Sequence, residues 1–266
     1  MLSLFRSNPL LDETTTQWLY DCYAWALRNM DSEFFHQETM LVTPTNEHFP
    51  GRVDSAEKMA EITFERVRTY AGMQNWPVTP ATPTELDSWG AISEIRIEGS
   101  LRGAACHVSV IGETDRLPIA YDPQQARQPD RLIALFAREL ASHLVRVPQE
   151  PPPGGEEYKD HAADVIAIFL GFGAFMANNA FTMGGGSCSG CGKSPQALGN
   201  LMEEEMTYAL AIFCALKGIK NAQVLPHLKA KLRPHYKKAA KEISNDSDRL
   251  RHLSSLAPSP QAAITK

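Results

Sequence analysis

The residues whose types and spacing suggest chemistry most directly are R-E-L-A-S at positions 138–142. Zinc peptidases carry H-E-x-x-H on a helix, where two histidines one turn apart hold the metal and the glutamate activates a bound water. Glu139 stands at the glutamate position, whereas Arg138 and Ser142 stand at the two ligand positions. A guanidinium keeps its proton in proteins, so Arg138 cannot coordinate zinc and would repel it, and serine is a poor zinc ligand. The stretch therefore predicts a metallohydrolase scaffold that has lost its chemistry.

A second pair of acids follows on the next predicted helix. Asp160 and Asp164 are four residues apart, as are the glutamate ligand and the orienting aspartate in the zinc peptidases whose third ligand is glutamate. We expect Arg138 to pair with Asp160 or Asp164, so that a side-chain cation replaces the metal. For Glu139 we expect a salt bridge with a neighbouring arginine rather than the role of a catalytic base.

A rearranged metal site is the alternative. Glu139 and His143 share one helix face, and His161 and Asp164 are three residues apart on the next helix. These four side chains would form a two-plus-two zinc site if they converged. Without that convergence, His143 is a surface or interfacial polar residue and His161 belongs to the first turn of its helix.

The five cysteines do not form a recognisable metal or disulfide framework. Cys188 and Cys191 make a single C-x-x-C in a Gly-rich loop, whereas a structural zinc ribbon needs two such pairs. Loop thiols are the favoured interpretation, with adventitious metal binding or a loop disulfide as the alternatives. The same loop lacks the glycine spacing of a phosphate-binding loop. Burial is expected for the remaining three, Cys22, Cys106 and Cys214.

Composition narrows the classes of function and the compartment. The chain has 266 residues and a net charge of −5, which argues against general nucleic-acid binding. Scattered cysteines and the absence of an apolar leader at the start favour a cytoplasmic protein. Residues 162–181 are apolar enough to suggest a membrane span, but they contain Asp164, Asn178 and Asn179. We predict a buried core helix there and no membrane span.

Periodicity and turn residues predict an α+β protein that is mostly helical with a small antiparallel sheet. The expected helices span residues 14–30, 55–70, 130–147, 160–181, 201–217 and 222–243, and the expected strands span 38–43, 92–98, 104–111 and 117–121. Prolines at positions 77, 80 and 83 predict a loop. We expect one domain over residues 1–245, with a mixed part at 1–125, a helical part at 128–245 that contains the motif, and a flexible tail at 246–266.

A wider resemblance adds to the motif. It is carried by residues 18–28 (W-L-Y-D-C-Y-A-W-A-L-R), 38–44 (E-T-M-L-V-T-P), 71–77 (A-G-M-Q-N-W-P), 170–178 (L-G-F-G-A-F-M-A-N) and 205–213 (E-M-T-Y-A-L-A-I-F). With these segments the chain resembles a family of uncharacterised bacterial proteins that have a zincin-like motif. Members carry H-E-L-A-H where this chain has R-E-L-A-S, and an acid followed by aspartate where it has Asp160 and Asp164. The resemblance implies a zincin-like core and a metal position, from which this chain departs at both histidines and at the shortened third ligand.

The function that these patterns favour is that of a zincin-like pseudoenzyme. Such a protein would act by binding a protein partner, as a regulator, an adaptor or an inhibitor of the immunity type, and no cofactor is expected. The alternative is a metal-dependent hydrolase of the peptidase class that uses zinc at a rearranged site, with Glu139 as its general base.

Overall fold

Helices form most of the described chain, and four short strands contribute two small sheets. A computed structural model describes residues 8–51, 55–180 and 198–256. The helices are α1 (Glu13–Asn29), α2 (Ser32–Gln37), α3 (Ala56–Tyr70), α4 (Pro83–Leu86), α5 (Pro129–Val145), α6 (Lys159–Ala167), α7 (Gly173–Asn179), α8 (Glu203–Leu216), α9 (Asn221–Val224), α10 (Arg233–Asn245) and α11 (Ser247–Ser254). The strands are β1 (Val78–Ala81), β2 (Ile92–Gly99), β3 (Cys106–Gly112) and β4 (Leu117–Ala120). The predicted α+β class, mostly helical with a small antiparallel sheet, is confirmed.

The strands pair differently from the prediction in one respect. β2 and β3 form the expected antiparallel hairpin. β4 is present as predicted, but it pairs in parallel with β1, which lies in the proline-rich stretch that was predicted to be a loop. Pro80 removes a backbone donor from β1, and a strand with only one neighbour tolerates this because its other edge needs no partner.

The helix that carries the motif begins and packs as its sequence predicts. Pro129 occupies the first turn of α5, where a missing N–H costs nothing. The stripe formed by Leu132, Phe136, Leu140 and Leu144 is fully buried. This burial fixes the rotation of α5 and thereby determines which of its polar residues meet α6.

The long apolar segment is broken in its middle. Residues 168–172 adopt a π-helical turn between α6 and α7, and Gly171 has a φ of 105°. A Cβ at Gly171 would lie 2.1 Å from the backbone oxygen of Met40, so only glycine allows this approach. Among the described residues one helix, Glu156–Asn179, is long and apolar enough to cross a membrane, but 89% of its apolar window is buried inside the protein. That burial agrees with the predicted core helix.

The predicted strand at 38–43 is wrong. This segment has no regular secondary structure and belongs to no ladder, and the amide of Val42 instead donates to the backbone oxygen of Gly171 at 2.9 Å. Its β-branched residues were read as a strand signal, whereas tertiary contact with the broken helix determines its conformation.

Two predictions near the C-terminus are also corrected. The single helix expected at 222–243 is divided into α9, two short 3-10 turns and α10, because Pro226 and Pro234 each restrict the chain to the start of a helical turn. The part of the predicted flexible tail that the structure describes beyond residue 246 forms α11. Leu253 of α11 is buried, and the Arg249 guanidinium lies over the Tyr20 ring of α1.

Candidate functional site

Arg138, which stands at the first ligand position of the motif, is one partner of a buried ion pair. Arg138 Nε donates to Asp164 Oδ1 at 2.7 Å, which joins α5 to α6. The Asp164 side chain is fully buried and that of Arg138 is 16% exposed. The expected pairing of Arg138 with one of the two acids is therefore present, and its partner is Asp164. In an H-E-x-x-H arrangement the same position would hold a neutral imidazole, whereas here it holds a permanent cation.

Asp164 also holds a distant part of the backbone. Its Oδ2 accepts hydrogen bonds from the amides of Asn200 at 2.6 Å and Leu201 at 3.0 Å. Gly199 has a φ of 90°, and a Cβ there would lie 2.7 Å from both carboxylate oxygens. Sequence reasoning missed these three partners. The Gly199-Asn200 pair is a turn signal that was available, but nothing local connects it with Asp164, 35 residues earlier.

Burial dominates the electrostatics of Asp164. Desolvation raises the pKa of its carboxyl above the ordinary value, and Arg138 together with the two backbone amides acts in the opposite direction. With a guanidinium and two N–H donors around it, the carboxylate has no free face in the described structure for a further ligand. The arrangement suits structural cross-linking better than metal coordination.

Glu139 lies beside this pair. Its Oε1 is 3.3 Å from Arg138 Nη1, so the salt bridge expected with a neighbouring arginine is present. Burial raises the pKa of Glu139, and the positive charges of Arg138 and Arg146 oppose that rise. A general base also needs an acceptor free to take a proton from water or substrate, and this carboxylate is engaged by a permanently charged donor.

The second acid meets a second arginine. Arg146 Nη2 lies 3.6 Å from Asp160 Oδ1, and both side chains are more than half exposed. Arg146 Nη1 also donates to the backbone oxygen of Ser142 at 2.6 Å, while Ser142 itself is buried. Arg138 lies in α5 and precedes Arg146, the residue directly after α5, whereas its partner Asp164 follows Asp160 in α6, so the two helices run antiparallel. The face of α5 that bears the motif therefore does meet the acid pair of α6.

The rearranged metal set does not assemble around these residues. Burial lowers the pKa of His143 to about 4, with the Pro118 backbone acting in the opposite direction, and His161 packs against the Tyr158 ring with centroids 5.4 Å apart. Asp164 faces Arg138 instead. Within the three described ranges, no group of three or more His, Cys, Asp and Glu side chains is arranged to hold a metal ion.

The cysteines divide between buried and undescribed positions. Cys22, Cys106 and Cys214 are buried free thiols, as predicted. Desolvation raises the pKa of Cys106 to about 11 and that of Cys214 to about 12, so neither is a reactive thiolate near neutral pH. Cys188 and Cys191 lie outside the described residues.

Comparison with known proteins found no relative of this chain. No family model matches the chain, and no curated protein or solved structure is significantly similar to it.

Proposed function

We propose that this chain is a zincin-like protein without a catalytic centre, which acts by binding a protein partner. The observation that supports the proposal most strongly is the Arg138–Asp164 ion pair, with its 2.7 Å contact at the position of a metal ligand. A metallohydrolase needs ligands that can release their protons and an open coordination position. The Arg138–Asp164 pair provides neither a releasable proton on Arg138 nor an open coordination position. It instead uses the carboxylate of Asp164 to join α5 to α6.

Restoring the missing zinc ligands tests whether α5 and α6 have the geometry of a zincin-like metal site. In the variant Arg138→His/Ser142→His/Asp160→Glu, the two histidines and one glutamate would reproduce the ligand set of the glutamate-type zinc peptidases. We expect near-stoichiometric zinc by elemental mass spectrometry after dialysis. The matched control, Arg138→Met/Ser142→His/Asp160→Glu, lacks one histidine and should lose most of that zinc. A folded triple variant that binds no more zinc than its control would show that α5 and α6 do not have the geometry of a metal site.

The hydrolase alternative is separated from the proposal by the metal content and by Glu139. A zinc peptidase purified without chelator should retain about one zinc per chain and lose activity in Glu139→Gln. We expect no bound zinc in the unaltered protein. Stoichiometric zinc there, together with an activity that Glu139→Gln abolishes, would overturn the proposal.

The β2–β3 hairpin is the described surface best suited to a protein partner. Ile95 and Ile111 are 42% and 39% exposed on opposite faces of the hairpin, since Ile95 pairs with Val110 and Ile111 with Glu94, and the sheet has only these two strands in the described part of the chain. Exposed apolar side chains beside unpaired strand edges favour association with another chain.

The partner is tested by capture from the native source at native expression level. We expect a protein retained by the unaltered chain to be lost from Ile111→Asp and kept by Met40→Asp. The control alters another exposed apolar residue (50%), which lies in the segment between α2 and α3 and not in either strand of the hairpin. If capture recovers only background proteins, or if both variants retain the same proteins as the unaltered chain, the proposed role of the hairpin fails.

A further inference from the structure

The outer edge of β2 has no partner in the described part of the chain. β2 pairs with β3 on one side only. In an antiparallel pair, every second residue directs its N–H and C=O groups away from the neighbouring strand. Between Ser93 and Glu98, the backbone groups directed away from β3 make no hydrogen bond to another described residue. A free edge of this kind is a template for a further strand.

Open space lies beside this edge. A cavity of about 320 Å³ contacts five consecutive residues of β2, Glu94 to Glu98, and its other wall includes His143 and Val147 at the C-terminal end of α5. Successive residues of a strand point to opposite faces of the sheet. A space that contacts five residues in a row therefore runs along the edge of β2, where an added strand would lie.

The charges on β2 have no counterpart within the hairpin. Glu94 and Arg96 project from the same face, and two hydrogen bonds of 2.8 and 3.1 Å join them. Their cross-strand neighbours on β3 are Ile111 and Ser109, which carry no charge. A strand that presents an arginine opposite Glu94 and an acid opposite Arg96 would complement this pair, because opposite charges stabilise cross-strand neighbours.

Ile95 lies between these two charges and points to the other face of the sheet. Three aliphatic side chains of that face, Ile97, Val108 and Val110, pack against the core. Ile95 shares the face but is 42% exposed. An added strand with an apolar residue opposite Ile95 would cover it.

We propose that the occupant of this edge is β2 of a second copy of the chain, paired antiparallel about a two-fold axis at Ile95. In such a pairing, residues equally far before and after the axis lie opposite each other. Glu94 of each copy then faces Arg96 of the other, and Ile95 faces Ile95. The result is one four-stranded sheet with four alternating charges on one face.

Neighbouring registers are less favourable. An axis at Arg96 would bring two arginines together and set Glu94 against Glu98, and an axis at Glu94 would bring two glutamates together. Like charges directly opposite each other destabilise a sheet. The self-association uses the edge of β2 and not the face that bears Ile111, so it goes beyond the proposed binding of a different protein.

Sedimentation equilibrium of the full chain at pH 7 tests the proposal by charge reversal. We expect the unaltered chain to be in a monomer–dimer equilibrium. Glu94→Arg and Arg96→Glu each replace two attractive cross-strand pairs by two repulsive ones, so each should raise the dimer Kd about tenfold or more. The double variant Glu94→Arg/Arg96→Glu restores opposite charges across the axis and should return the Kd to near that of the unaltered chain.

Two controls fix the register and separate this inference from the proposed function. Glu98→Arg should leave the dimer intact, because Glu98 faces Ile92 in this register, whereas it would face Arg96 if the axis lay at Ile97. Ile111→Asp should lose the captured partner and still dimerise. A chain that stays monomeric at about 1 mM, a double variant that does not recover, or a dimer that Glu98→Arg dissociates would each overturn the proposal.

Discussion

Replacing Arg138 by methionine should destabilise the protein by about 3 kcal/mol, since breaking a buried ion pair from one side costs roughly 3–5 kcal/mol. Methionine keeps the apolar stem of the side chain, so the main loss is the 2.7 Å contact of the guanidinium with Asp164. The carboxylate is fully buried and would remain there without its cation. We use the low end of the range because Asp164 keeps the hydrogen bonds from Asn200 and Leu201.

Chemical denaturation and calorimetry both measure this loss. About 3 kcal/mol corresponds to a fall in Tm of roughly 6–12 °C for a chain of this size class. The control is Arg146→Met, at the residue directly after the same helix. Arg146 is more than half exposed and lies 3.6 Å from Asp160, so its removal should change stability by less than about 0.5 kcal/mol.

The loss should also depend on pH with a definite sign. Burial already raises the pKa of Asp164 above its ordinary value of 3.8, and removing Arg138 takes away a charge that opposes that rise. An acid with a raised native pKa binds more protons in the folded state, so protonation relieves its unpaired charge as the pH falls. The difference between Arg138→Met and the unaltered chain should therefore be largest near neutral pH and shrink as the pH falls through the raised pKa of Asp164.

A double-mutant cycle completes the test. Asp164→Asn removes the charge that needs a cation, so the double variant Arg138→Met/Asp164→Asn should be more stable than the sum of the single losses predicts. The reasoning is refuted if Arg138→Met and Arg146→Met have the same stability, or if the two single losses simply add.

Three further perturbations follow from the same structure. Gly199→Ala should cost more than about 3 kcal/mol, because strain at its φ of 90° adds to a clash with Asp164, whereas Gly155→Ala, with a φ of 89° and open space around it, should cost only about 1–2 kcal/mol in denaturation measurements. His143 should titrate by NMR with a pKa of about 4, which is below the ordinary value of 6.5. Its contribution to the stability of the fold is therefore present above pH 6.5 and is lost as the pH falls towards 4. The variant His143→Phe should weaken this dependence of stability on pH. Arg102→Met should cost about 2 kcal/mol by urea denaturation, because it leaves a buried backbone carbonyl without its donor and two aromatic rings without their cation.

The sequence predicts those parts of the fold whose residues repeat at a regular period. The apolar stripe of α5 and the alternation in β2 and β3 are local patterns, and all three elements are where they were expected. β1 was missed because Pro80 is a local signal against a strand, and only its parallel pairing with β4, 39 residues away at Ile119, makes it one. The predicted strand at 38–43 is wrong for the opposite reason. Its composition is typical of a strand, but no strand in the described part of the chain pairs with it.

Only part of the candidate site could be predicted from the sequence, namely the pairing of Arg138 with an acid of α6. The zincin-like motif predicted that Arg138 pairs with Asp160 or Asp164, because in that motif these positions belong to one metal site. The contacts of Asp164 with Gly199, Asn200 and Leu201 join parts of the chain that are distant in sequence. Local periodicity does not predict such contacts.

The break at Gly171 has a consequence for the slowest motions of the protein. Its carbonyl leaves the helical ladder and accepts the Val42 amide at 2.9 Å, and Val42 is fully buried. Solvent can reach that amide only if the segment around Val42 separates from the interrupted helix, whose residues 168–172 are buried in the core. Val42 should therefore exchange its proton for deuterium as slowly as the middle of α8, although it belongs to no helix or strand. Irregular backbone and slow exchange should therefore coincide at Val42.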